Sequence, residues 1–165
     1  MSSTGMSDSA GIKRGGITIR RGIEADFPGL KRVLQETFES TWLPEITPAA
    51  ARNYVEGNVG HRFVDEQGRN FLVALVGGEV AGLVNWRDDF IDALHVGSRH
   101  QRLGVGRALM RALEAELARR GCPKLNLQVR GDNRDVVAFY QRLGYRVEDR
   151  VSMGRVLAAE LPPEE

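Results

Sequence analysis

The segment Gln101-Arg102-Leu103-Gly104-Val105-Gly106 holds the residues whose types and spacing best suit chemistry. Glycines let the oxygen atoms of an anion approach the backbone closely. Where a helix begins, its first backbone N–H groups have no intrahelical acceptor and the macrodipole is positive, which together favour a phosphate. Arg99, Arg102 and Arg107 could add charge-assisted contacts to several phosphates. Two other phosphate loops do not fit. A dinucleotide fingerprint needs a third glycine where Leu109 stands, and a Walker loop needs a Gly-Lys-Ser/Thr ending that is absent here. Taken alone, the segment also reads as a helix start with space-saving glycines.

The elements around the loop follow from periodicity. Ile17 to Arg20 alternates as a strand, and Phe27, Leu30, Leu34 and Phe38 mark one face of a helix from Glu24 to about Trp42. Thr47-Pro48 reads as an N-cap and first-turn proline of a second helix through Val55. Phe71 to Val76 and Val80 to Trp86 are strands about a Gly77-Gly78 turn. After Asp88-Asp89, Phe90 to Val96 is a fourth strand. The loop then leads into a long helix with Val105, Leu109, Ala112, Leu113 and Leu117 on one face, stopped by Arg119, Arg120 and Gly121. Lys124 to Val129 is a fifth strand and Asn133 to Leu143 a fourth helix. Tyr145 to Glu148 and Val151 to Val156 read as final strands. This order predicts a mixed α/β domain without regular Rossmann alternation.

Composition narrows the function. A chain of 165 residues suits one domain, and 42% hydrophobic residues can build a core. Lys+Arg 23 against Asp+Glu 22 gives a net charge of +1, which argues against a nucleic-acid partner. The single cysteine, Cys122, excludes an internal disulfide framework and fits the cytoplasm; burial suits it better than nucleophilic chemistry. No apolar run reaches the roughly 20 residues that span a bilayer. Residues 1–16 are expected to be a flexible lead-in, 17–160 a single domain and 161–165 a polar tail.

Val96 to Leu109 resembles the coenzyme A signature of the GNAT superfamily of N-acyltransferases, Gln/Arg-x-x-Gly-x-Gly/Ala after a strand ending in valine. Leu127-Gln128-Val129, Asn133 and Phe139-Tyr140-Gln141-Arg142-Leu143-Gly144-Tyr145 resemble its second block at the expected distance. The resemblance covers most of Ile17 to Val156 in element order, with its specific matches in residues 90–145. It implies an α/β fold of the α+β type: a mixed, mostly antiparallel central sheet flanked by helices and splayed between the fourth and fifth strands. It also implies an acetyltransferase domain that moves an acetyl group from acetyl-CoA to a primary amine of a small molecule, peptide or protein, with homodimers common. The alternative is a non-catalytic acyl-CoA-binding or regulatory module on the same fold.

By the same resemblance, the backbone of Leu94, His95 and Val96 would pair with the pantetheine arm. Gln101, Arg102, Leu103, Gly104, Val105, Gly106 and Arg107 form the pyrophosphate loop. Asn133 matches the asparagine that contacts the cofactor arm, and Tyr140 the tyrosine that faces the sulfur and would protonate the departing thiolate. Other readings stand beside these: Tyr140 is in phase with Val136 and Leu143 as a core residue, and Asn133 suits a helix N-cap. The sequence departs from the family at the base. Gln128 stands where one subfamily has glutamate, five residues before the asparagine, and Phe90 where many members have it, six before the valine. Asp92, His95, Asp89, Glu39 or an ordered water remain as candidates. Acceptor specificity is expected in Glu39 to His61 and Trp86 to Asp89, where Trp42, Trp86, Glu39, Glu45, Asp88 and Asp89 could meet a cationic amine, or be ordinary core tryptophan and solvated charge.

Overall fold

The structure is a computed structural model that describes residues 12–14, 16–44, 46–129 and 132–149. It divides into two compact units, Met1–Leu127 and Gln128–Glu165.

The first unit is built on an antiparallel sheet ordered β1-β2-β3-β4-β5. The strands are β1 (Ile12–Arg14), β2 (Ile17–Arg21), β3 (Leu72–Val76), β4 (Glu79–Arg87) and β5 (Phe90–Val96). Short connections set the neighbours β3-β4-β5, whereas β2 and β3 pair across the segment that holds the helices between Arg21 and Leu72. Gly77 and Gly78 both take positive φ, which allows the two-residue turn between β3 and β4, and Asp88 does the same before β5. β1 lies inside the stretch expected to be a flexible lead-in; Ile12 pairs with Ile19 and Arg14 with Ile17.

Helices cover both faces. α1 (Phe27–Thr37) continues into a π-helical turn, Phe38–Trp42, closed by a Leu43 N–H to Phe38 carbonyl bond of 2.8 Å. Leu30, Val33 and Leu34 of α1 pack with Val73, Val80 and Leu83 of the sheet and with Val64 and Phe71. Full burial of each such side chain contributes about 1.5–3 kcal/mol. α2 (Pro48–Glu56) starts as the sequence predicts, with the Thr47 hydroxyl accepting from the Ala50 N–H at 3.1 Å. α3 (Val59–Gln67) was not expected; it is anchored by one fully buried residue, Val64. A single inward residue is too little periodicity to announce a helix. On the opposite face α4 (Val105–Arg119) buries Val105, Leu109, Ala112, Leu113 and Leu117, the face read from sequence.

The stretch expected as a fifth strand, Lys124 to Val129, forms one parallel bridge, Phe90 with Asn126. The Ile91 N–H donates to Asn126 O at 2.8 Å and the Asn126 N–H to Asp89 O at 2.7 Å. Its apolar residues are only half-buried, so burial does not enforce a ladder there.

The second unit contains α5 (Arg134–Arg142), which ends at Gly144 with φ 97°. Tyr145 to Glu148, expected as a strand, is irregular. Val151 to Val156 lies outside the described residues.

Gly82 of β4 lies directly beneath the start of α4. A Cβ there would lie 2.6 Å from the His95 carbonyl oxygen, 3.2 Å from Val105 and 3.3 Å from Leu109. Gly82→Ala is therefore expected to destabilise the protein by about 1–3 kcal/mol, seen as a lower urea midpoint. An unchanged midpoint would refute this packing.

Candidate functional site

The end of β5, a single 3₁₀ turn at Ser98–His100 and the start of α4 form one continuous path in the first unit. Leu94, His95 and Val96 pair on their inner edge with Val84, Leu83 and Gly82 of β4. β5 ends the sheet, so the outer backbone edge of these residues is offered to no other strand of it. Gln101 leaves the turn in an extended conformation, and its side-chain amide reaches the Val96 carbonyl at 3.4 Å.

The next residues reverse the chain. Arg102 has φ 65° and Gly104 φ 84°, both left-handed. Gly104 is the N-cap of α4 and supplies no side-chain cap. The first intrahelical bond shown is Ala108 N–H to Gly104 O at 3.0 Å, so helix geometry leaves the earlier N–H groups for an outside acceptor. Nothing lies within 4 Å of a Cβ placed on Gly104; its left-handed φ favours glycine there and the space above it is open. Arg102, Leu103 and Arg107 are exposed, Val105 is buried and Gly106 half-buried. Arg99, expected among the phosphate contacts, is turned to Glu79 at 3.5 Å.

His95 points to the other side of the strand from Leu94, into the α1 face. Its Nδ1 lies 3.0 Å from the Thr37 hydroxyl, which also lies 3.1 Å from the Val33 carbonyl and 3.2 Å from that of Leu34. The threonine has one proton; given to either carbonyl, it leaves Oγ1 to accept from His95 Nδ1–H. Burial pushes the His95 pKa down to about 4, because the imidazolium would lose its water. His95 is therefore neutral at pH 7 and a weak proton acceptor.

The other candidate bases are already engaged. Asp92 makes a two-pronged pair with Arg87 at 2.8 Å. Asp89 Oδ2 accepts from Asn126 Nδ2 at 3.1 Å, and Glu39 Oε1 accepts from Gln35 Nε2 at 2.7 Å. On the expected acceptor side, Trp86 is half-buried and the Arg21 guanidinium lies 4.9 Å from its ring centroid. Glu45 and the Trp42 side chain lie outside the described residues.

In the second unit Asn133 caps α5, with Oδ1 accepting from the Val136 N–H at 3.3 Å. Tyr140 is buried and meets the Tyr145 ring edge-on at 5.6 Å. Burial pushes its pKa up to about 12, so the phenol keeps its proton throughout the neutral range.

The model of the acetyltransferase (GNAT) family matches residues 27–145. The chain belongs to this family. An acetyltransferase of Sodalis glossinidius is 44% identical over 85 residues, which are 49% of this chain and 60% of that protein. One of Yersinia pseudotuberculosis is 37% identical over 94 residues, 54% of this chain and 67% of that protein. The solved PaiA N-acetyltransferase of Thermoplasma acidophilum, in complex with coenzyme A, shares the fold: its TM-score is 0.67 at 18% identity, over 82% of this chain and 92% of that one.

The loop of this GNAT chain has the chemistry a diphosphate-bearing coenzyme needs. It offers uncapped helix N–H groups, open space above Gly104 and the exposed Arg102 and Arg107, which form no ion pair among the described residues.

The His95 shift has a measurable consequence. The unfolded chain binds this proton near pH 6.5 and the folded chain only near pH 4, so the stabilising effect of neutral His95 is full above pH 6.5. It is lost as the pH falls towards 4, by about 3 kcal/mol in total. Urea titrations across pH 4–6.5 should show a shallower stability slope for His95→Gln than for the wild type; equal slopes would contradict the buried, neutral imidazole.

Proposed function

We propose that the protein is an N-acetyltransferase that uses acetyl-CoA to acetylate a primary amine of a small molecule, peptide or protein. The observation that carries this reading is the uncapped, glycine-led start of α4 at the end of β5, in a chain of the acetyltransferase family. The PaiA relative in complex with coenzyme A supports the choice of coenzyme. A cytoplasmic setting is supported by the free thiol of Cys122. Among the described residues no helix is long and apolar enough to cross a membrane.

When bound, acetyl-CoA supplies a thioester carbonyl open to a neutral amine. In this reading the N–H groups of the first turn of α4, with Arg102 and Arg107, hold the diphosphate. The outer edge of β5 at Leu94, His95 and Val96 offers backbone groups to the extended arm, and an N–H there stabilises charge on the carbonyl oxygen. Asn133 can serve twice, because capping uses Oδ1 and leaves Nδ2 as a donor.

Tyr140 is the proposed acid. Its hydroxyl stays protonated throughout the neutral range, so there it can donate to a leaving sulfur. With a pKa above the roughly 8.5 of an alkyl thiol, it helps by a strong hydrogen bond more than by giving up its proton. The low pKa of His95 and the engagement of Asp89, Asp92 and Glu39 favour ordered water as the first acceptor of the amine proton.

Calorimetry with acetyl-CoA should show saturable binding, and a panel of amines should give free-thiol release with at least one acceptor. Binding with no release from any amine would instead favour the non-catalytic module. Tyr140→Phe should lower turnover about 100-fold while leaving coenzyme affinity nearly intact. Unchanged turnover would remove Tyr140 from the mechanism.

A further inference from the structure

We infer that Glu36, on the last turn of α1, is a positioning residue for the coenzyme loop. This rests on the acetyltransferase reading and adds to it a residue that no part of the loop's own sequence supplies. The Glu36 carboxylate oxygen Oε2 accepts from the Ser98 N–H at 3.0 Å and from the Ser98 hydroxyl at 3.2 Å. Ser98 is the first residue of the 3₁₀ turn that delivers the chain to Gln101, and the residue before it, Gly97, has no side chain with which to cap that turn. Glu36 therefore does from another helix what an N-cap side chain does locally.

Two further features show that this contact is built in. A Cβ on Gly97 would lie 3.2 Å from Glu36 Oε2 and 3.4 Å from Val33 Cγ2, so glycine keeps the path to Ser98 open. The second carboxylate oxygen of Glu36 faces Arg32 Nε at 3.8 Å. Arg32 donates to the Val80 carbonyl at 2.8 Å and pairs with Glu79 at 3.2 Å, and Glu79 also holds Arg99 at 3.5 Å. Ser98 and Arg99, neighbours in the turn, are thus both tied to α1, one directly and one through Glu79 and Arg32.

By charge alone, a carboxylate bonded to the turn that leads into an anion loop works against anion binding. Here its charge is answered by Arg32 and by the Ser98 N–H, and what remains is a geometric constraint. With Ser98 fixed, Gln101 to Gly104 start from one orientation, and the N–H groups of α4 face their ligand without an ordering cost at binding.

The test uses the full chain, with coenzyme A itself as the probe. Glu36→Ala should bind coenzyme A about tenfold more weakly by calorimetry, as for a lost hydrogen bond to a charged group. Glu36→Gln, whose amide oxygen can still accept from Ser98, should stay within about threefold of the wild type. In steady state, Glu36→Ala should raise KM for acetyl-CoA with kcat nearly unchanged. Without ligand, amide exchange at Ser98 should accelerate in Glu36→Ala and not in Glu36→Gln. Should Glu36→Ala fail to fold, Ser98→Ala removes only the hydroxyl contact and is expected to weaken binding about threefold. Wild-type affinity in Glu36→Ala or, in that case, in Ser98→Ala overturns the inference while leaving the acetyltransferase reading intact, as does an equal loss in Glu36→Ala and Glu36→Gln. A wild-type protein that binds no coenzyme A overturns both.

Discussion

The first turn of any α-helix has backbone N–H groups with no acceptor inside the helix, and α4 begins on a glycine that brings no side chain to satisfy them. That deficit is a binding site only if the chain reaching it is held still. An anion that must first order a wandering loop loses much of what the N–H groups offer. The surroundings of α4 can be understood as the means of holding that one turn in place.

Holding comes from two directions. The α4 helix is fixed by its own buried face, with Val105 at its first residue already 1% exposed, so the helix start is pinned against the sheet at Gly82. The incoming strand is fixed by pairing with β4 through to Val96. Between these anchors lie Gly97 to Gly104, in which Arg102 and Gly104 adopt left-handed backbone. The last turn of α1 braces the end of β5 through Thr37 on His95 and the span itself through Glu36 on Ser98. α1 can do so because its inner face is clamped by Leu30, Val33 and Leu34 on the sheet. The polar contacts are thus carried on an apolar base, which gives them fixed geometry.

The same arrangement explains why His95 makes a poor base. A group that helps to lock a strand to a helix must be buried, and burial disfavours its charged form. Tyr140 shows the opposite consequence of the same physics. Burial raises its pKa and keeps it in the protonated form that a hydrogen-bond donor requires.

Much of this was legible in the sequence, and the reason is locality. The β3–β4 turn at Gly77-Gly78, the Thr47 cap of α2, the apolar face of α4 and the glycine-led loop are each set by residues within a few positions of one another. Local propensity and periodicity read such features directly. Where local signals are weak, the structure departs from what they predict. α3 shows one buried residue, β1 is three residues long, and Lys124 to Val129 is half-buried and forms one bridge where a strand was expected. The partners of His95 and Ser98 lie 58 and 62 residues away and could not be read at all. Nothing in the types Thr37 and Glu36 distinguishes them from other polar residues on a helix. The sequence alone determined that a glycine-led loop and a long amphipathic helix follow a strand, because these are short-range properties of the chain. Only the tertiary structure decided which residues brace that start and which titratable groups lose their water, because these depend on which surfaces are brought together when the apolar faces pack.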